Sequence, residues 1–455
     1  MQQKNKIIWL FTLEFLEIFS NIYYDLMPIS IPLLRDFQKY VERQYHVAYL
    51  EKKNTKLNLN IQKACDPYLI NNNHYKKTGE YLLVRSDLYS LTSTLKKKCI
   101  YLAHHQNEYK KMFRNKQCRP LYFLHDLPEK NMPISDEKQV TSQLNQIFRN
   151  QNIPAFFKNN SFITWMNKEV KKLLVVIRKV HTLFDKYSIS KTLYGSTINR
   201  HGALITTFAQ SRNIETINFQ HGILGELGHL PLNADLHLVW GKSHEEYLKT
   251  YGAPSEKMKI APPHFPKSAK IAYIKKSPKG DYFLKTNVPF NQINILVALQ
   301  PLAESFNKKM IQNIEAAANK FSGKLFIHYK LHPDQSSRSY KNLVTSTNSK
   351  LYTHGTVSLQ DLIDKSALII TPFSTVSYEA LLAQKPVAFY SKPRNIYYLQ
   401  GKPSFIFSLD EIYKLFSNII YNQTFLFKLF SQVSIKDEIC LDKTLNPSLL
   451  EKILN

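Results

Sequence analysis

After residue 160, short apolar runs alternate along the chain with longer segments whose apolar residues recur at helical spacing. Residues 165–187 have this spacing, with apolar side chains at 173, 176, 177, 180, 183 and 184. Residues 293–299 are instead a continuous apolar run, which is typical of a strand buried on both faces. Alternation of such strands with amphipathic helices predicts doubly wound parallel sheets.

The pattern predicts strands at 191–194, 216–219, 236–240, 293–299, 324–329, 367–370 and 387–390, and helices at 165–187, 200–212, 243–251, 303–321, 358–365 and 374–384. Two Rossmann-like domains facing a central cleft follow from it. We assign an N-terminal domain to 1–265, a linker to 266–291, a C-terminal domain to 292–430 and a helical tail to 431–455. Residues 1–160 give a weak pattern, with short apolar runs at 100–103 and 121–124. We expect a buried strand followed by a helix near residues 6–12.

Composition narrows the classes of protein. The 455 residues carry a formal net charge of +26, which favours an anionic partner. The lysines lie in short scattered runs without a nucleic-acid-binding signature, so we expect no specific nucleic-acid binding. No metal-ligand spacing occurs and the four cysteines are dispersed. These features predict a reduced, cytoplasmic protein, with a peripheral position on the inner face of the membrane as a further expectation.

Residues 371–379 read Thr-Pro-Phe-Ser-Thr-Val-Ser-Tyr-Glu, where a predicted strand stops and hydroxyl residues open a helix. A helix N-terminus offers unpaired N–H groups, and Ser374 and Thr375 add hydroxyl donors, so this turn suits a phosphate. Glu379, one turn later, is placed to accept hydrogen bonds from a ribose. The alternative is that Ser374 is only a helix cap.

A second candidate, His332-Pro333, follows a predicted strand, and its histidine can donate to a phosphate or stabilise a leaving nucleotide. Gln300 follows the first strand of the same half, and we expect it to contribute to nucleotide binding, with Glu304 as a weaker candidate.

The third candidate is the segment Phe-Gln-His-Gly-Ile-Leu-Gly-Glu-Leu-Gly at 219–228, which holds three of the chain's 12 glycines. Gly222 and Gly225 permit close backbone approach, and His221 is placed to deprotonate an acceptor hydroxyl. Glu226 is the rival base. Weaker candidates elsewhere are the polar loop residues His104, His105, His125, Asp126 and His264.

Four short motifs follow one another between residues 192 and 390. They are Gln220-His221-Gly222, Val239-Trp240-Gly241, Lys330-Leu331-His332-Pro333, and Ser374-Thr375 with Glu379-Ala380 and Lys385-Pro386-Val387. Together they resemble the bacterial GT-B surface and capsule polysaccharide glycosyltransferases, including Kdo- and sialyltransferase-like members, and the related CDP-glycerol glycerophosphotransferases. The resemblance implies that His332, Ser374 and Thr375 bind the phosphate of the donor. It also implies that Glu379 binds the ribose and that His221 is a base. Ser-Thr replaces the usual paired serine.

The implied function is transfer of a sugar, of the Kdo or sialic acid type, from a nucleotide-activated donor to a capsule or lipopolysaccharide glycan or lipid-linked acceptor. In such a GT-B fold the N-terminal domain would hold the acceptor and the C-terminal domain the nucleotide donor. His332 would take part in catalysis. No cofactor or metal would be needed, and a CMP-linked donor is favoured. A CDP-glycerol-type polyol phosphotransferase, a nucleotide-sugar epimerase and a non-catalytic scaffold are the alternatives.

Overall fold

The computed structural model describes residues 3–52, 54–70, 79–93, 95–114, 120–225, 227–263, 292–353, 355–422, 424–435 and 447–454. Contacts divide the chain into two compact units, one of Met1–His264 with Cys440–Asn455 and one of Phe265–Ile439. The linker expected at 266–291 lies outside the described residues. In the described part of the chain, no helix is both long enough and apolar enough to span a membrane.

The first unit contains a seven-stranded parallel sheet and a separate two-stranded hairpin. Its strands are β1 Tyr23–Tyr24, β2 Met27–Pro28, β3 Tyr81–Arg85, β4 Lys98–Ala103, β5 Leu121–Phe123, β6 Ile189–Tyr194, β7 Glu215–Phe219, β8 Leu236–Val239 and β9 Met258–Ile260. Its helices are α1 Gln3–Phe19, α2 Ser30–Arg43, α3 Tyr45–Lys52, α4 Ile61–Cys65, α5 Tyr89–Thr92, α6 Gln106–Arg114, α7 Ile134–Arg149, α8 Ala155–Lys158, α9 Asn160–Lys186, α10 Arg200–Gln210 and α11 Lys242–Lys249.

The second unit contains a six-stranded parallel sheet and a small antiparallel pair. Its strands are β10 Ile293–Ala298, β11 Leu325–Lys330, β12 Ser349–Tyr352, β13 Leu368–Thr371, β14 Val387–Tyr390, β15 Leu399–Gly401, β16 Ser404–Ile406 and β17 Val433–Ile435. Its helices are α12 Glu304–Asn319, α13 Leu359–Lys365, α14 Thr375–Leu382, α15 Leu409–Tyr421 and α16 Phe425–Ser431. The last helix of the chain, α17 Pro447–Leu454, belongs to the first unit.

Strand order confirms the predicted fold class of two Rossmann-like α/β units. The first sheet runs β5-β4-β3-β6-β7-β8-β9 and the second β12-β11-β10-β13-β14-β16, all parallel within each sheet. In both sheets the strand order reverses beside the first strand, between β3 and β6 and between β10 and β13. Ligands of doubly wound sheets bind at the carboxyl ends of the strands at such a reversal.

The expectation of a strand at residues 6–12 is wrong, because this segment lies within helix α1. Ile7, Trp9, Phe11 and Phe15 are all fully buried, so most of the helix surface is covered. A helix that is apolar nearly all round produces a continuous apolar run. Such a run cannot be distinguished from a buried strand by periodicity.

The helical tail expected at 431–455 is also corrected. Residues Val433–Ile435 form strand β17, which pairs antiparallel with β15 in the second unit. After Ser431, which ends α16, only α17 is helical within the described part of this tail, and its Leu450 and Leu454 are buried in the core of the first unit's sheet. The tail therefore contributes to both units.

Gly202 lies where no side chain fits. It occupies the first turn of α10, and its N–H donates to the Oδ1 atom of Asn199, the helix cap, at 2.8 Å. A Cβ atom on Gly202 would lie 1.9 Å from the carbonyl oxygen of Ser196. The loop that leaves β6 can therefore approach α10 only over a glycine.

We predict that Gly202→Ala destabilises the protein by about 1–3 kcal/mol, the usual cost of overpacking. The urea midpoint followed by circular dichroism measures this loss. Gly228→Ala is the control, because a Cβ atom added at Gly228 would meet nothing within 4 Å and stability should change little. Equal midpoints for the two variants would contradict the steric account.

Candidate functional site

The turn between β13 and α14 is held in place from two sides. Thr371, the last residue of β13, donates from Oγ1 to the carbonyl oxygen of Ala298 at the end of β10, at 3.1 Å. Ser374 caps α14, because its Oγ accepts from the N–H of Val376 at 3.2 Å. The cap uses an oxygen lone pair and leaves the hydroxyl proton to be donated. Capping and phosphate binding by Ser374 are therefore compatible.

Two buried hydroxyls fix the carbonyl side of the same turn. The Oγ of Ser377 donates to the carbonyl oxygen of Ser374 at 2.6 Å. The same Oγ lies 2.6 Å from the hydroxyl of Tyr398. Both side chains are fully buried, so the position of Ser374 is set from inside the unit. Sequence reasoning missed this brace because Tyr398 is distant in sequence.

His332 follows the carboxyl end of β11, and Asp334 contacts its Nδ1 atom twice. Nδ1 lies 3.5 Å from Oδ2 of Asp334, and in the neutral ring it accepts from the N–H of Asp334 at 3.2 Å, which places the proton of that form on Nε2. Its own N–H donates to Oε1 of Gln335 at 2.9 Å. Pro333 is exposed and restricts the backbone after the histidine. The imidazole therefore presents an N–H donor suited to a phosphate oxygen.

Gln300 is placed at the carboxyl end of β10, but its side chain turns back. Its Nε2 donates to the carbonyl oxygen of Leu299 at 3.0 Å. The carbonyl oxygen of Gln300 accepts from Nε2 of Gln335 at 2.8 Å. The loops after β10 and β11 are thus joined through Gln335, which sequence reasoning did not single out. Binding of a nucleotide by Gln300 stays a prediction.

Glu379 lies four residues after Thr375, which puts both side chains on one face of α14. Burial raises the pKa of the Glu379 carboxyl to about 7. Among the described residues, the carboxyl makes no hydrogen bond or ion pair. A partly buried carboxyl without a partner in the protein is available to the hydroxyls of a ligand.

Arg394 is a cation of this site that sequence reasoning missed. It follows β14, the neighbour of β13 in the sheet. Its guanidinium lies over the ring of Phe373, 4.3 Å from the centroid, beside the hydroxyl turn. The signal in the sequence was Ser-Lys-Pro-Arg directly after a predicted strand. Among charged side chains, the planar guanidinium is the one best suited to phosphate.

In the first unit, His221 stands at the carboxyl end of β7. Its Nδ1 donates to the carbonyl oxygen of Gly195, which follows β6. This contact places the proton of the neutral ring on Nδ1 and leaves a lone pair on Nε2. The side chain is exposed, so Nε2 can accept a proton from a ligand. Glu226, the rival base, lies outside the described residues, as does His264.

The loop glycines after His221 differ from the expectation in one respect. The carbonyl oxygen of Gly222 accepts from Nε2 of Gln220 at 2.8 Å, and the N–H of Gly225 donates to Nδ1 of His229 at 3.1 Å. A Cβ atom on Gly225 would meet nothing within 4 Å. The protein's own packing therefore does not require glycine at 225, and close approach of a ligand there stays a prediction.

The second unit carries a recognisable sequence segment. Residues 298–445 match the family model described as CDP-glycerol:poly(glycerophosphate) glycerophosphotransferase. The matched segment contains the turn of Ser374, His332 and Glu379, and it covers about a third of the chain. No curated protein sequence matches the chain.

Solved structures with the same fold include UDP-GlcNAc 2-epimerases. S. aureus MnaA in a structure with UDP is 14% identical, with a TM-score of 0.51 over 83% of this chain and 98% of that one. The UDP-GlcNAc 2-epimerase of Neisseria meningitidis, bound to UDP-GlcNAc, is also 14% identical, with a TM-score of 0.51 over 82% and 99%. A putative epimerase from Listeria monocytogenes is 13% identical, with a TM-score of 0.50 over 83% and 95%. At this identity they establish the fold alone.

We predict a pH-dependent stability difference between Glu379→Gln and the natural protein. The Glu379 carboxyl has a pKa of about 7 when folded against 4.5 for the free group, so the native state binds the extra proton between these values. Stability therefore falls as pH rises through this range, and glutamine removes the loss. The melting temperature of the variant minus that of the natural protein should therefore increase as the pH rises from about 5 to about 8.

Glu411→Gln is the matched control. Backbone N–H groups of Ser408 and Phe407 hold the pKa of the Glu411 carboxyl below its ordinary value. The stabilising effect of the Glu411 carboxylate is fully present above pH 4.5. The difference in melting temperature between Glu411→Gln and the natural protein should therefore stay constant from about pH 5 to about pH 8. A constant difference for Glu379→Gln as well would refute the shifted carboxyl.

Proposed function

We propose that the protein is a transferase that uses a nucleotide-activated donor, with a CDP-linked polyol phosphate as the favoured donor class, to modify a hydroxyl of a surface glycan or lipid-linked acceptor. The observation that carries this proposal is the position of the family-matched segment, 298–445. The hydroxyl turn, His332 and Glu379 all fall within it, at the strand ends where such sheets bind ligands.

In this proposal the second unit holds the donor. The hydroxyl of Ser374, the N-terminus of α14 and the Nε2–H of His332 donate to the phosphates, and Arg394 supplies positive charge. Glu379 accepts from the ribose hydroxyls. Because these donors are preformed, they can also stabilise the negative charge that develops on the leaving nucleotide.

The first unit supplies the base. The Nε2 lone pair of His221 accepts the proton of the acceptor hydroxyl as its oxygen attacks phosphorus. A new bond forms between this oxygen and the transferred phosphorus. The bond from that phosphorus to the bridging oxygen breaks, and the nucleoside monophosphate leaves with the bonding electrons.

Sugar transfer is the second candidate, because the structures with this fold include proteins bound to UDP and UDP-GlcNAc. The same donor groups would then hold a nucleotide sugar, and the acceptor oxygen would attack the sugar carbon instead of phosphorus. Kdo- or sialic acid-type transfer would require a CMP-linked donor. An epimerase would form product from the donor alone, without an acceptor, which separates it from both transferases.

We predict that calorimetric titration detects selective binding of CDP over CMP, UDP and GDP. His332→Ala, Ser374→Ala and Arg394→Gln should each weaken CDP binding by roughly tenfold or more, the loss expected for one hydrogen bond to a charged group. Strongest binding of CMP or UDP would favour the sugar donors instead.

Ser408→Ala is the matched control for Ser374→Ala. Ser408 also caps a helix in the second unit, accepting from the N–H of Glu411 at 3.2 Å. Loss of a cap alone would affect the two variants alike. Equal CDP affinity in the two variants, or no binding of any nucleotide to the natural protein, would refute the donor site.

The net charge of +26 supports docking on an anionic membrane surface, where lipid-linked acceptors reside. We predict co-sedimentation with phosphatidylglycerol vesicles at low ionic strength and release at high salt, because salt screens exposed charges. Binding to neutral phosphatidylcholine vesicles is the control. Sedimentation that does not depend on salt or on lipid charge would contradict electrostatic docking.

A further inference from the structure

Five neighbouring strands of the first sheet end at one edge, and four of them are followed there by an exposed polar side chain. In sheet order β5-β4-β3-β6-β7, the residues that follow the strands include His125, His105, Asp87, Gly195 and His221. Since the strands are parallel, all five ends lie side by side. His125, His105, Asp87 and His221 are exposed. Only His221 has a role in the proposed function so far.

A buried layer of polar groups supports this row. Arg85, the last residue of β3, lies with its Nε atom 3.3 Å from Oδ2 of Asp87 and 3.9 Å from Oε1 of Glu108. Glu108 also accepts from the hydroxyl of Ser86 and from the N–H of His104, the latter at 3.3 Å. The carboxylates are thus held by donors from two segments of the chain, one at the carboxyl end of β3 and one that follows β4.

Two polar atoms of the buried layer have neither a hydrogen-bond nor an ion-pair partner in the part of the chain that the structure describes. They are Nε2 of His104, whose side chain is 3% exposed, and the hydroxyl of Tyr194 at the end of β6. The His104 ring packs 5.5 Å from the Tyr194 ring and 5.1 Å from that of His201, which lies in the first turn of α10. Unsatisfied buried polar groups are rare in folded proteins and mark places where water or a ligand completes the bonding.

Three of the imidazoles at this edge, those of His104, His125 and His201, favour the neutral form. Burial lowers the pKa of His201 to about 3 and that of His104 well below its ordinary value, and it lowers the pKa of His125 as well. A neutral imidazole has one donor and one acceptor nitrogen, which is the hydrogen-bonding complement of a hydroxyl. The Asp87 carboxyl shares Arg85 with Glu108, and burial raises the pKa of Asp87. A carboxyl group among uncharged imidazoles is suited to hydroxyls rather than to a phosphate.

We propose that this edge, formed by Asp87, His125, His201 and His221, binds the uncharged, hydroxyl-bearing end of a polyol or sugar chain. The Asp87 carboxylate accepts from a hydroxyl, and the neutral imidazoles of His125 and His201 each donate to or accept from one. The acceptor therefore presents a hydroxyl to His221, while its anionic groups stay away from the edge. This inference rests on the proposed function for the role of His221 only.

Saturation-transfer NMR on the full chain tests the site, with glycerol and glycerol 3-phosphate as the probes. Glycerol should give a signal with the natural protein. With saturating CDP present to occupy the donor site, glycerol 3-phosphate should bind no more tightly than glycerol. Asp87→Asn should weaken glycerol binding by roughly tenfold or more, because a hydrogen bond to a charged acceptor is lost.

Glu80→Gln is the matched control, because Glu80 directly precedes β3 at its opposite end and pairs there with Lys98 at 2.7 Å. It should leave glycerol binding unchanged. Equal binding by the Asp87→Asn and Glu80→Gln variants, absence of a glycerol signal, or tighter binding of glycerol 3-phosphate while CDP occupies the donor site would each overturn the proposal. If Asp87→Asn fails to fold, His125→Gln, a substitution at an exposed residue, tests the proposal instead. Weaker glycerol binding by this variant is expected, and unchanged binding would contradict the proposal.

CDP titration of the same variants separates this inference from the donor site. Asp87→Asn should retain the CDP affinity of the natural protein, because all the donor groups lie in the second unit. CDP binding without glycerol binding would refute the hydroxyl site alone. Glycerol binding that depends on Asp87, without CDP binding, would refute the donor assignment alone.

Discussion

Each candidate group in this protein depends on one constraint, which is that the strands of both sheets run parallel. A parallel strand leaves its sheet at the same edge as its neighbours, so residues far apart in sequence become adjacent wherever strands end. In the second unit this brings His332, after β11, and Ser374, after β13, to one edge with β10 between them. The hydrogen bond from Thr371 to Ala298 and the pair of glutamines then fix the loops relative to the sheet. Without this order the same residues would be isolated loop positions.

The donor groups illustrate how one side chain can serve structure and ligand together. Ser374 accepts a hydrogen bond as a cap and keeps a proton to donate, and His332 accepts through Nδ1 and keeps the proton on Nε2. In the first unit, His221 has the opposite tautomer because a carbonyl oxygen faces its Nδ1. In their neutral forms, one histidine is thus arranged as a donor and the other as a base through contacts with backbone groups, and the Asp334 carboxylate also lies 3.5 Å from Nδ1 of His332. This difference matches the two roles that transfer requires.

The sequence predicted the part of the fold in which strands are continuous apolar runs and helices are amphipathic. Strand β14 was located to the residue, and the limits of β13, β10 and α12 to within two residues, because their patterns are unambiguous. Helix α1 was missed because burial on almost all sides removes the helical period. Strands β3 and β5 are short, and β5 is only half-buried, so they leave little signal.

The residues of the candidate sites were likewise only partly predictable from the sequence. His332, Ser374 and His221 could be found because each sits in a short motif at a strand end. Asp87 and the brace from Tyr398 could not, since their significance comes from strand neighbours rather than from sequence neighbours. Arg394 had only a weak signal, a basic residue soon after a predicted strand. Asp87 in particular belongs to a row of five strand ends, and only the strand order shows that β3 lies beside β6.

The most direct test of the central claim is amide hydrogen exchange of the natural protein with and without CDP, read by mass spectrometry at peptide resolution. The donor-site account predicts that CDP slows exchange in the peptides that contain residues 332–335 and 374–379, where the phosphate and ribose contacts are placed. Protection confined to other strand ends, or no protection at saturating CDP, would contradict it.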